Sequence, residues 1–113
     1  MQRQQLVRVG NIDTISARHP LRTMVNRTEV VVFQIENEFF AVENNCPHQH
    51  FSVLHQGEIK NCTVTCPMHG WNFDLRTGNA TNGNGRLRTF KLEVRGNDLW
   101  MEKPSEEESF SLF

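Results

Sequence analysis

Apolar residues in this chain come in short clusters broken by Gly, Asn, Asp and Pro. Residues 29–35 (Glu-Val-Val-Val-Phe-Gln-Ile) are β-branched and aromatic, the composition of a strand. Glu36-Asn37 then predicts a hairpin turn, because Asn tolerates positive φ, and residues 39–42 form the returning arm. Upstream, residues 4–9 predict a strand ending at Gly10-Asn11. Residues 21–26 predict another, after a loop through Asp13 and His19-Pro20. Downstream, Gly57 marks a turn, residues 61–65 alternate as a short strand containing Cys62, and residues 71–74 predict a further strand. Residues 75–85 read as loop, with Ala80 the one packing residue. Residues 87–94 return as a strand with Phe90, Leu92 and Val94 on one face, and Gly96-Asn97 turns it into residues 99–102. No ten-residue window carries a helical period. The expectation is an all-β domain of about nine short strands, a sandwich or barrel.

Length and charge narrow this further. A chain of 113 residues supports one domain with one modest core. We expect the domain to span residues 1–103 and a tail to occupy 104–113, where Pro104 stops the last strand. The tail carries Glu106, Glu107 and Glu108 and ends in Phe110 and Leu112-Phe113. That composition predicts disorder, with docking of the apolar end as the alternative. Twelve Lys/Arg against thirteen Asp/Glu give a net charge of −1, so no nucleic-acid partner is expected. The polar start lacks a signal-peptide core and no apolar run is long enough to span a membrane, so no membrane association is expected either. Three cysteines at irregular spacing do not make a disulfide framework, which predicts a reducing, cytoplasmic setting.

The chemistry is concentrated between residues 45 and 71. Asn45-Cys46-Pro47-His48 is followed, after seventeen residues, by Cys66-Pro67-Met68-His69-Gly70-Trp71. Cys46, His48, Cys66 and His69 offer two thiolates and two imidazoles, enough to close a coordination shell around a metal or cluster. Structural zinc commonly groups like ligands, whereas each half here mixes one Cys with one His. The mixed pattern lets both thiolates hold one iron and both imidazoles the other, and zinc remains the alternative. Among the other candidates, Cys62 reads as a buried core thiol, His50 as a rival to His48, and His19 and His55 as surface residues.

At these residues the chain resembles the Rieske proteins. The resemblance extends over Val7-Arg-Val-Gly, Cys46-Pro-His, Cys66-Pro-Met-His-Gly-Trp, Phe73-Asp-Leu-Arg-Thr-Gly and the closing hairpin. It is strongest to the soluble Rieske-type ferredoxins that serve bacterial ring-hydroxylating oxygenases. The resemblance implies a small antiparallel β-sandwich with a two-loop cluster-binding tip and one [2Fe–2S] cluster per chain. It assigns Cys46 and Cys66 to the buried iron and His48 and His69 to the outer one, and its spacing favours His48 over His50. Gly70 is expected to let the backbone approach the cluster sulfurs, and Pro47 and Pro67 to stiffen their loops. Higher-potential relatives place a Ser directly after the second His-Gly and a Tyr two residues later; this chain has Trp71 and Phe73 there and no Tyr. It also departs from the family at His50, at Met68, and in Asn82-Gly-Asn-Gly-Arg86, which lacks the proline that usually stiffens the third loop.

The function so implied is that of a one-electron carrier, itself not an enzyme, passing electrons from a flavin-dependent reductase to a terminal oxygenase. The small subunit of an assimilatory nitrite reductase, working with its large subunit, is the second expectation, and a zinc-stabilised binding module the third. The length argues against an oxygenase catalytic subunit. Phe51 and Met68 stand where a membrane-complex Rieske subunit would carry its disulfide cysteines.

Overall fold

Strand β3 (Thr28–Ile35) is the axis of the molecule. In this computed structural model, which describes residues 5–45, 54–67, 70–82 and 85–104, its run Val30-Val31-Val32-Phe33 is buried without interruption. Alternation is lost because both faces of its sheet are covered, and a strand covered on both faces has no solvent side to keep polar. Truncating any of these residues to Ala removes packing worth about 2–4 kcal/mol.

Ten strands are formed among the described residues. The central sheet runs β2 (Leu21–Val25), β3, β4 (Glu38–Glu43), β8 (Thr89–Phe90). On one side lies a three-stranded sheet of β1 (Leu6–Asn11), β10 (Asp98–Glu102) and β9 (Leu92–Arg95). Val30, Val32, Ala41, Leu99 and Met101 close the core between them. On the other side lies the sheet of β5 (Glu58–Lys60), β6 (Thr63–Thr65) and β7 (Asn72–Asp74). Val31, Phe33 and Val42 face Val64, Phe73, Leu75 and Leu87 in that second core. All strand pairings among the described residues are antiparallel, as expected for the sandwich.

The predicted hairpin at Glu36-Asn37 forms, with Ile35 opposite Glu38 and Glu36 at φ 57°. Two further two-residue turns, Asn26-Arg27 (φ 51° and 71°) and Asn61-Cys62 (φ 52° and 60°), join β2 to β3 and β5 to β6. Positive φ at both central residues gives these turns the twist that neighbouring strands require. Cys62 is therefore a turn residue, not a strand residue as expected, yet its side chain is buried. Leu75, read from sequence as loop, also packs in the core; its N–H donates to the Cys62 carbonyl (2.9 Å), which draws it inward. The strand predicted over 87–94 breaks at Lys91. There the chain leaves β4 for β10, and the Glu102 carboxylate accepts the Lys91 N–H at 2.7 Å. Val94 is consequently exposed, while Phe90 and Leu92 remain against the core. Strand β10 ends before Pro104, and the predicted tail beyond it lies outside the described residues.

Candidate metal centre

The second Cys-His stretch is the connection of a β-hairpin. Strand β6 delivers the chain to Cys66 and β7 carries it away, with Thr65 opposite Asn72 as the last pair. Beyond that pair the Cys66 N–H donates to the Trp71 carbonyl (2.7 Å), and the Gly70 N–H donates to the Cys66 carbonyl (3.0 Å). Gly70 takes φ +73°, a conformation that a Cβ would penalise. The Thr65 hydroxyl donates to the Asn72 side-chain oxygen at 2.6 Å, bracing the base of the turn. Cys66 is wholly buried in the core with Phe73 and Leu54, so its thiol is placed in a dry environment.

The first Cys-His stretch follows β4 and rejoins the described chain at Leu54. Its two ends are joined by Asn44, the one fully buried polar side chain among the described residues. The Asn44 side-chain oxygen accepts the His55 N–H (2.7 Å), and its Nδ2 donates to a Glu29 carboxylate oxygen (3.0 Å) and faces His55 Nδ1 (3.0 Å). Backbone bonds add to the join: Leu54 N–H to the Asn44 carbonyl (3.4 Å) and Asn44 N–H to the Glu29 carbonyl (2.9 Å). Arg22 donates to the same Glu29 oxygen at 2.7 and 3.0 Å. Because the Asn44 oxygen is committed to the His55 amide, its NH₂ points at Nδ1. That nitrogen must accept, so His55 is the neutral Nε2–H tautomer. Burial, with help from the Arg22 charge and against that of Glu29, holds the His55 pKa below its ordinary value. His55 was expected at the surface; it is half-buried at the neck of this segment.

The two stretches meet at their bases. Leu54 shares a core with Cys66, and its carbonyl accepts the Gly57 N–H at 2.9 Å. Gly57 lies so close to β6 that an added Cβ would sit 2.5 Å from the Thr65 carbonyl oxygen and 2.7 Å from the Val64 side chain. The turn anticipated at Gly57 thus seats the neck of the first stretch on the strand that presents Cys66.

Of the four predicted ligands, Cys66 is described; Cys46, His48 and His69 lie outside the described residues, as do His50, Pro47 and Met68. Among the described residues no three His, Cys, Asp or Glu side chains converge as a metal-binding group. Cys62 sits at the opposite end of β6 from Cys66. Burial pushes its thiol pKa up, with Asp74 and Glu38 adding to the rise and Arg76 opposing it. A dry thiol with a raised pKa is the environment of a packing cysteine. His19 is exposed, as expected. Sequence reasoning passed over Asn44 and Asn72; the only available sign was an Asn pair directly before Cys46 and an Asn directly after Trp71.

The described part of the site is thus a buried cysteine, hydrogen-bonded to Gly70 and Trp71 and seated against the clamped base of the other Cys-His stretch. The chain belongs to the Rieske family: the profile of the Rieske [2Fe-2S] domain matches residues 5–91. Its cofactor is a Rieske-type [2Fe–2S] cluster. It is 31% identical over 81 residues to the 3-phenylpropionate/cinnamic acid dioxygenase ferredoxin subunit of Photorhabdus laumondii subsp. laumondii, covering 70% of this chain and 77% of that protein. The ferredoxin of carbazole 1,9a-dioxygenase from Nocardioides aromaticivorans IC177 superposes with a TM-score of 0.80 at 26% identity, over 88% of this chain and 98% of that one. A Mycobacterium tuberculosis protein assigned as an NADH-dependent nitrite reductase small subunit shares the fold, with a TM-score of 0.83 at 14% identity over 92% and 99% of the two chains. No helix among the described residues is long and apolar enough to cross a membrane.

Proposed function

We propose that the protein is a one-electron carrier of an oxygenase system. In this reading Cys46 and Cys66 hold the buried iron, and His48 and His69 hold the outer one. When bound, the cluster supplies a site that takes up and releases a single electron. The chain's own contribution is to exclude water from the cysteine side, to fix the two ligand stretches against each other, and to leave the histidine side as the route in and out. The observation that supports the reading is the seating of the Asn44–His55 neck on β6 through Gly57, with Leu54 and Cys66 in one core.

Likeness to dioxygenase ferredoxins supports a terminal oxygenase as electron acceptor; the donor in this reading is a flavin-dependent reductase. The likeness to a nitrite reductase small subunit is one of fold alone and gives that alternative no comparable weight. The reading places residues 1–103 in the cluster domain and 104–113 in a tail, working in a reducing cytoplasm.

Iron and acid-labile sulfide analysis of anaerobically purified protein tests the site. Two irons and two sulfides per chain are expected, lost in Cys46→Ala and Cys66→Ala and retained in Cys62→Ser. A colourless wild type with one zinc would refute the reading. Loss of the cluster from a folded Cys62→Ser protein would refute the ligand assignment.

A further inference from the structure

The third loop is fastened to the second ligand stretch by a side chain where the family usually uses a stiffening proline. Residues 79–81 pair with β7: the Asp74 N–H donates to the Asn79 carbonyl (2.9 Å), Ala80 lies opposite Phe73, and the Thr81 N–H donates to the Asn72 carbonyl (2.8 Å). At the next residue a side chain continues the ladder. The Asn82 side-chain oxygen accepts the Asn72 N–H at 2.8 Å, and its NH₂ donates to the Gly70 carbonyl at 3.1 Å. A carboxamide carries the same donor and acceptor as a peptide unit, so Asn82 pairs with the backbone on both sides of Trp71 as a strand residue would. Gly70 directly follows His69, and Asn72 is braced in turn by the Thr65 hydroxyl beside Cys66.

We propose that Asn82 is a positioning residue for the cluster. Its carboxamide locks Gly70–Trp71–Asn72 to the third loop, and so fixes the exit of the turn that carries Cys66 and His69. This rests on the reading of those two residues as ligands. Because Asn82 and Gly70 are exposed, the two bonds contribute little to global stability. Their effect is on the local opening through which a chelator reaches the irons.

The test compares holo wild type with Asn82→Ala, which removes both bonds, and Asn82→Asp, which keeps the acceptor and loses the donor to Gly70. Iron loss from the oxidised protein to a strong ferrous/ferric chelator is expected to be about tenfold faster in Asn82→Ala and about threefold faster in Asn82→Asp. The electron paramagnetic resonance g-values of the reduced cluster should shift in both, while the urea midpoint stays close to wild type. Either variant folding with wild-type g-values and a wild-type chelation rate overturns the inference, and so does faster iron loss that merely tracks a lowered urea midpoint. If Asn82→Ala does not fold, Asn82→Asp carries the same decision. A wild type that itself lacks two irons and two sulfides overturns the ligand reading and this inference together, whereas a normal wild-type cluster with unaffected variants overturns the inference alone.

Discussion

The His55 backbone N–H and the Asn44 side-chain oxygen lie 2.7 Å apart, closing the chain on both sides of the first Cys-His stretch with one buried carboxamide. Removing that carboxamide strands the His55 amide and withdraws a donor from the Glu29 carboxylate. Asn44→Ala should therefore cost about 3 kcal/mol of unfolding free energy and speed cluster loss. Urea unfolding of the holoprotein measures the first effect and chelator challenge the second. A cost below about 0.5 kcal/mol, the size of an ordinary surface substitution, would contradict the role.

His55 couples the same neck to pH. Its pKa in the fold lies below the ordinary 6.5, chiefly through burial and then through Arg22, with Glu29 opposing. The unfolded chain therefore takes up this proton at higher pH than the folded one. The contribution is fully present above pH 6.5 and is lost as pH falls through the lower folded pKa. Urea melts at successive pH values should show a steeper acid loss of stability in wild type than in His55→Gln, which keeps the backbone N–H but cannot titrate. Parallel acid slopes would show that the ring plays no such part.

Gly57→Ala should act through packing alone. The new Cβ would meet a carbonyl oxygen of β6, which belongs to a paired strand and cannot turn aside. Overpacking of this kind costs about 1–3 kcal/mol, and here it pushes the neck away from the strand that bears Cys66. Both a lower thermal midpoint and faster iron release are expected. A wild-type melt would mean that the close approach is not tight in solution.

The midpoint potential should lie near the low end for His₂Cys₂ centres, at about −150 mV. Phe73 is wholly buried beside Cys66, and neither it nor Trp71 offers a hydroxyl to the cluster or its sulfurs. Without such donors more negative charge stays on sulfur, and reduction is harder. Phe73→Tyr, alone or with Trp71→Ser, should raise the potential in protein-film voltammetry. A wild-type value above about +100 mV would remove the argument.

How far the sequence could be read depended on where each signal was recorded. The β-branched run 30–33 announces itself locally, since strand composition belongs to the residues concerned; the turn at Glu36-Asn37 was found where expected, but its positive φ falls on Glu36 and not on the Asn expected to take it. The Cys-His spacing made the family legible, because a coordination motif demands particular residue types. Cys62 misled, because its side chain points into the core just as a strand residue at that place would, and cysteine does not advertise a left-handed turn. The asparagines were invisible for a different reason. An Asn before or after a loop is ordinary, and what makes Asn44 and Asn82 structural is a set of partners 10 to 15 residues away. Only the fold brings those partners within reach.

The pairing of β1 with β10 has a consequence for how this unit can be handled. Leu6 lies opposite Glu102, and the Lys103 N–H donates to the Gln5 carbonyl at 2.9 Å, on the far side of the central sheet from the core that holds Cys66. Entry and exit points side by side, across the central sheet from Cys66, are what a portable module needs. Such a domain can be spliced into a longer polypeptide, or circularly permuted with a short linker between residues 103 and 5, without bending a strand that serves the metal.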